Sequence, residues 1–286
     1  MFHYAVGRAL AHRLGTELKL DISSFQTERK RRYELDRFKI TAALASPEDI
    51  RALTGILGTR NGRVAKSVRG VCRRLGFVGR LVTGPAVWEK SFDFDPEILA
   101  LKDGVYLHGK FQSEKYFSGI AGILRDEFQL RSSEEEDQNL ARCMKEHESS
   151  VSIHIRRGDY VTEPRQWHHA VLPIEYYQEA VRYMRAQLGG PSFFIFSDDP
   201  LWVQDNLDIQ DASIVSLNGP DRGPRELLLM SKCRHHIIAN STFSWWGAWL
   251  SNPGDGITCA PKQWFAPEKE RLLSMQDILP PAWKAL

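Results

Sequence analysis

The alternation that begins after residue 148 limits what this chain can fold into more than any other feature. Short apolar runs at 151–155, 192–199 ("SFFIFSDD"), 212–217 ("ASIVSL"), 235–240 ("HHIIAN") and 256–261 ("GITCAP") alternate with helix-period stretches at 173–188, 200–207, 224–233 and 242–250. Strands that alternate with helices specify a parallel sheet with right-handed crossovers. Residues 149–286 are therefore expected to form a Rossmann-like α/β domain. Residues 1–148 carry a different pattern and are expected to form a domain of their own. A helix is predicted over 1–14, where Phe2, Val6, Ala9, Leu10 and Leu14 recur at three- and four-residue steps. A short alternating strand at 17–25 follows, then a helix at 47–57 with Ser46 as cap and Pro47 near its start. "GVYLHGKFQSEKYF" (104–117) opens as a strand and ends in an aromatic turn, and a helix over 131–147 carries acidic residues in its first turn, as the helix dipole favours.

Composition excludes several classes. The formal net charge is +2, so no global field points to nucleic acid. Cys72, Cys143, Cys233 and Cys259 lie far apart without CxxC spacing, which reads as reduced thiols and not as a disulfide framework or a zinc site. No signal peptide and no bilayer-spanning apolar run is visible, and the reading is a cytoplasmic protein. One segment departs from this even balance. Over 60–74, Val64, Val68, Val71 and Cys72 share one helical stripe, with Leu75 continuing it. Arg60, Arg63, Lys66, Arg69, Arg73 and Arg74 fall opposite. This basic amphipathic stretch is either a solvated face over a core or a peripheral contact with an anionic membrane, at the inner face.

Ligands of open parallel sheets bind at the carboxyl ends of the strands. Three such ends carry polar clusters: His154, Arg156 and Arg157; Ser197, Asp198 and Asp199; Asn240, Ser241 and Thr242, with Phe243 next. Ser241 or Thr242 can cap the helix that follows, and the N–H groups of that first turn form an anion site suited to phosphate. Strand alternation puts Arg156 on the side of His154 and away from Arg157. Arg156 is thus the expected phosphate ligand, since its planar fork matches phosphate oxygens. Arg157 is expected to form a structural ion pair with Asp159, and one of Asp198 and Asp199 to cap helix 200–207. "RGD" (157–159) follows a buried strand, and "DFD" (93–95) follows no apolar strand, so neither reads as an adhesion or metal motif. His168–His169 and His235–His236 point neighbours to opposite faces, poor geometry for one metal. GxxxxGK[ST] and GxGxxG are absent, which argues against an ATPase and a dinucleotide dehydrogenase.

Taken together, "HIRRGDYV" (154–161), "YLHGKFQSEKYF" (106–117), "FFIFSDDP" (193–200), "LLLMSKCRHHIIANSTFSWWGAWL" (227–250) and "APKQWF" (260–265) resemble the α-1,2-fucosyltransferases, especially bacterial ones. The resemblance implies a GT-B-like fold of two Rossmann-like domains, with 1–148 on the acceptor side and 149–286 holding GDP-β-L-fucose. It implies inverting transfer to the 2-OH of a terminal β-galactoside on a glycan acceptor, no metal and no other cofactor. In that picture Arg156 meets the donor diphosphate with Ser241 and Thr242 beside it. His154, Ser197, Asp198, Asn240 and Phe243 complete the donor site. Glu226 stands where an acidic residue would receive guanine, its alternative being an ion pair with Arg222 or Arg225. The catalytic set is Arg156, His154 and Asp159; His154, Asp159 and Glu163 are the candidate bases. Relatives usually begin with a short strand and a "GLGNQ"-like turn ahead of the first helix, whereas Met1 here stands inside that block. The resemblance therefore predicts weak or no turnover for this form, and a catalytically weak GDP-sugar or glycan-binding protein, or a fucosyltransferase of another linkage, as alternatives.

Overall fold

Six short strands account for the centre of the second half. The computed structural model describes residues 1–27, 32–55, 85–162, 171–217, 219, 222–251, 254, 256–266, 274 and 276–286. The basic stretch 60–74, the pair His168–His169 and Glu163 lie outside the described residues. The chain divides into two compact units, residues 1–36 with 40–127, and residues 37–39 with 128–286. This division falls ahead of 148 because the helix Glu135–Glu146 belongs to the second unit. Buried Asp137 on that helix accepts from Arg225 Nε and Nη2 at 2.7 and 2.8 Å. Residues 37–39 join the second unit through an antiparallel bridge between Phe38 and Leu130.

In the second unit β5 (Ser150–Ile155), β6 (Ser192–Ser197), β7 (Ala212–Val215), β8 (His235–Ile237), β9 (Thr258–Ala260) and β10 (Lys284–Ala285) form one parallel sheet in the order β10-β9-β8-β5-β6-β7. Every residue of β5 is buried although Ser150, Ser152 and His154 alternate with Val151, Ile153 and Ile155, so the strand is covered on both faces. Val151, Ile153 and Ile155 pack on one face against Tyr177, Ala180 and Met184 of the helix Ile174–Gln187. On the other face Ser152 Oγ bonds His236 Nδ1 across the β5–β8 pair at 2.8 Å. The chain runs outward from β5 through β6 to β7, then returns to the far side of β5 for β8, β9 and β10. The order reverses between β5 and β8, and the crevice outside their carboxyl ends is the position where such sheets bind ligands. The α/β architecture with parallel strands is the one expected from the alternation. The strand at 284–285 and a short helix, Gly158–Thr162, were not expected.

The first unit opens with the helix Phe2–Leu14, closed by Gly15 in the left-handed conformation at φ 66°. Tyr4 and Arg8 on this helix both reach Glu127 at the end of the helix Ala121–Glu127. The strand expected at 17–25 is only β1 (Lys19–Leu20). Asp21 Oδ1 accepts from Ser23 N and turns the chain into a helix at Ser23–Thr27. β1 pairs in parallel with β2 (Ala43–Leu44), and β3 (Ala86–Trp88) with β4 (Tyr106–His108). Ser46 caps the helix Pro47–Thr54, as read from the sequence, and Asp49 completes a reciprocal box with it. The "DFD" segment places Asp95 as cap of the helix Pro96–Leu99 and partner of Lys90. After β4 the chain turns at Phe111, φ 51°, where Glu89 accepts from the N–H groups of Lys110 and Phe111, both at 2.7 Å.

Candidate functional site

At the carboxyl end of β5 the chain leaves the sheet through Arg156 and Arg157. Asp198, one position beyond the end of the neighbouring pair Ile155–Ser197, accepts from Arg157 N at 2.8 Å and from Arg156 Nη1 at 3.0 Å. Arg156 also donates from Nε and Nη2 to Asp159 Oδ1 at 3.0 and 2.7 Å. Gly158 makes this closeness possible: a Cβ there would stand 2.7 Å from Asp198 Oδ2. The guanidinium of Arg156 remains one-third exposed at the crevice.

The partner expected for Arg157 was Asp159, and the structure corrects this. Arg157 Nε pairs with Asp199 Oδ2 at 3.2 Å, and its guanidinium carbon lies 3.9 Å from the centre of the Trp202 ring. The helix Gly158–Thr162 begins at once, and i,i+3 side chains meet on a helical turn whereas i,i+2 side chains do not. Asp159 therefore falls to Arg156. Asp199 also caps the helix Pro200–Asn206 through Trp202 N, as one of the two aspartates was expected to do.

Ser197, at the end of β6, is buried; its Oγ accepts from Asp199 N at 3.0 Å and its carbonyl accepts from Arg222 Nη2 at 2.6 Å. Arg222 Nε in turn pairs with Glu226 Oε1 at 2.6 Å on the helix Arg222–Met230. Burial pushes the Glu226 carboxyl up from its ordinary range, against the pull of Arg222. The ion pair with Arg222 is thus made. Arg225 is committed instead to Asp137 and Glu134.

Beyond β8, Asn240 Nδ2 donates to Trp264 O at 3.0 Å, and Tyr160 from the short helix donates to Asn240 O at 3.2 Å. Ser241 is the cap of the helix Thr242–Trp249, its Oγ accepting from Phe243 N at 3.3 Å. The remaining first-turn N–H groups of such a helix lack intrahelical acceptors and attract anions. His154 closes the group from β5. Its ring centre lies 5.3 Å from that of Phe243, it is 4% exposed, and its Nδ1 has no hydrogen-bond partner among the described residues. Burial, with Arg156 adding to it, lowers its pKa to about 3, so the imidazole is uncharged at neutral pH.

The ends of three adjacent strands thus bring together His154, Arg156, Ser197, Asp198, Asn240, Ser241, Thr242 and Phe243 around the reversal point of the sheet. Glu226 stands behind them, linked through Arg222 to Ser197. Tyr160, Trp202 and the backbone of Arg157 belong to the same cluster, and nothing in residue type or spacing singled them out. Among the described residues no group of three or more His, Cys, Asp or Glu side chains could hold a metal ion; His235 and His236 are engaged with Ile257 N and Ser152 Oγ. A guanidinium fork and a helix N-terminus at the ends of adjacent strands are each suited to a phosphate or diphosphate.

Comparison with known proteins agrees in kind. The sequence model of glycosyl transferase family 11 matches residues 92–286. The O-antigen biosynthesis glycosyltransferase WbnK of Escherichia coli is 31% identical over 97% of this chain and 95% of its own length. The alpha-1,2-colitosyltransferase of Escherichia coli is 31% identical over 99% of this chain and 93% of its own. The galactoside 2-alpha-L-fucosyltransferase SEC1 of Bos taurus is 31% identical over 51% of this chain and 42% of its own.

Proposed function

This chain belongs to glycosyl transferase family 11, and on that footing we propose that it moves L-fucose from GDP-β-L-fucose to the 2-OH of a terminal β-galactoside. The observation that carries the donor reading is the placement of Arg156 at the end of β5 and of the capped N-terminus of the helix Thr242–Trp249 after the adjacent strand β8, at the reversal point of the sheet. In the reaction the bond from the sugar C1 to the β-phosphate oxygen breaks, and that phosphate gains negative charge. The galactose 2-OH attacks C1 from the opposite side, gives up its proton to a basic side chain or to solvent water, and forms the new glycosidic bond with inversion, GDP leaving with the electron pair of the broken bond. A fixed guanidinium and first-turn N–H groups stabilise the growing charge without help from a metal ion. His154 serves this scheme as an uncharged hydrogen-bonding side chain at the diphosphate, since a pKa of about 3 makes it a poor proton acceptor. In this reading Ser197 and Asn240 shape the pocket floor and Glu226 receives the guanine.

Transfer of labelled fucose to lactose, with linkage analysis of the product, tests the reaction. Arg156→Ala is expected to lower turnover by about 10²–10³ and to weaken GDP binding, and EDTA to leave turnover unchanged. Unaltered GDP affinity and turnover in Arg156→Ala would refute the donor assignment. Binding of GDP-fucose with no transfer to any galactoside would leave a binding protein in its place. The likeness to a colitosyltransferase favours a second reading, colitose as the transferred sugar, and the same assay with GDP-colitose in competition decides it.

A further inference from the structure

The Arg156 guanidinium, on which the donor reading rests, is not idle without a donor: all three of its nitrogens face protein carboxylates. Resting on that reading, we propose that these two carboxylates have separate roles. Asp198 is a positioning residue that holds Arg156 in place in every state. Asp159 stands in for the ligand's anion and is displaced when the diphosphate binds.

Their attachments differ in the way this requires. Asp198 is fixed a second time by the backbone N–H of Arg157 at 2.8 Å, and it is seated against Gly158, which has no side chain to push it off. It takes only Nη1 and leaves the Nε/Nη2 edge to others. With Nη1 taken, that edge is the one left whose two parallel N–H groups can match two phosphate oxygens. Asp159 occupies the edge with a single oxygen, Oδ1, in place of a two-oxygen fit. Its side chain is 43% exposed against 25% for Asp198, and it is carried by a helix of five residues. An exposed i,i+3 pair is worth little, so a diphosphate that offers two oxygens and more charge replaces it. The exchange keeps the arginine oriented and paired before the donor arrives, and it makes Asp159 a competitor of the donor.

Calorimetric titration of the full chain with GDP, combined with donor kinetics, separates the possibilities. Asp159→Ala is expected to bind GDP about two- to fivefold more tightly than the parent, with Asp159→Asn between them because its amide oxygen still meets the fork. Asp198→Ala is expected to weaken GDP binding and raise the donor KM more than it lowers kcat. Asp198→Asn, which keeps an acceptor for the Arg157 N–H, restores part of that loss at an unchanged melting temperature. Unchanged or weaker GDP binding in both Asp159 variants overturns the displacement; unchanged affinity with lost turnover would make Asp159 a proton acceptor instead. Loss of GDP binding in Arg156→Ala together with weaker binding in the Asp159 variants would remove only this inference, whereas normal binding in Arg156→Ala would remove the donor reading beneath it.

Discussion

Acid should unfold the second unit through two histidines that cannot charge where they sit. His154 is 4% exposed and His236 1% exposed. Burial lowers both from 6.5 to about 3, with Arg156 adding at His154 and His235 at His236. Between those two values the unfolded chain binds a proton at each site and the folded chain does not. Stability from each is therefore complete above pH 6.5 and is lost as pH falls toward 3. At about 1.4 kcal/mol per pH unit, each histidine costs roughly 2 kcal/mol at pH 5, and the pair about 4 kcal/mol. That is a large share of the roughly 5–15 kcal/mol that holds a domain together. His236→Asn keeps a group that can meet Ser152 Oγ and removes the titration. Urea unfolding, followed by fluorescence of the buried Trp245 and Trp246, would be measured at pH 7.5 and pH 5. The stability lost between the two pH values should shrink by about 2 kcal/mol in His236→Asn, whatever the variant's stability at pH 7.5. A loss equal to that of the parent would refute the reasoning, because it would mean that His236 charges within the fold or that other groups govern the acid transition.

Three further outcomes follow from the contacts. Arg225→Met leaves the carboxylate of buried Asp137 unpaired and should cost about 3 kcal/mol in urea unfolding. Asp137→Leu added to it should recover most of the loss, since the charge goes with its partner. Ser241→Ala removes the cap of the helix Thr242–Trp249 and should cost about 1 kcal/mol by thermal melting. Gly158→Ala should push the Asp198 carboxylate off Arg156 and raise the donor KM with little effect on melting; an unaltered KM would show that the close approach is dispensable.

The sheet was legible because short apolar or alternating segments, bounded by polar clusters, recur between helix-period stretches. Val151, Ile153 and Ile155 announced β5, and "FFIF" announced β6. Strand ends were legible for the same reason: the run stops where the polar cluster starts. Caps at Ser46, Ser241 and Asp199 were legible because they depend on neighbours within three residues. The two-residue extent of β1 and the strand β10 were not, since both are set by the strand beside them and not by their own residues. The charge of His154 was hidden too, because its pKa is fixed by what buries it.

Arg156 and Arg157 show where local pattern ends and geometry begins. The two side chains are identical and adjacent, and strand alternation alone sends them to different sides. Which carboxylate each then meets depends on how the chain turns after β5. An extended continuation would have left both Asp159 and Asp198 with other choices. The turn into helix at Gly158 brings Asp159 under Arg156, and the 2.8 Å bond from Arg157 N draws Asp198 to the same guanidinium. Arg157 is left to Asp199 and Trp202 and so ties the strand end to the next helix. Under the proposed donor reading a diphosphate would compete for the first arginine, whose Nε/Nη2 edge is held by one oxygen of a part-exposed carboxylate. The second is stacked on an indole and paired with Asp199, so under the proposed donor reading it would act on donor binding only through the backbone it fixes.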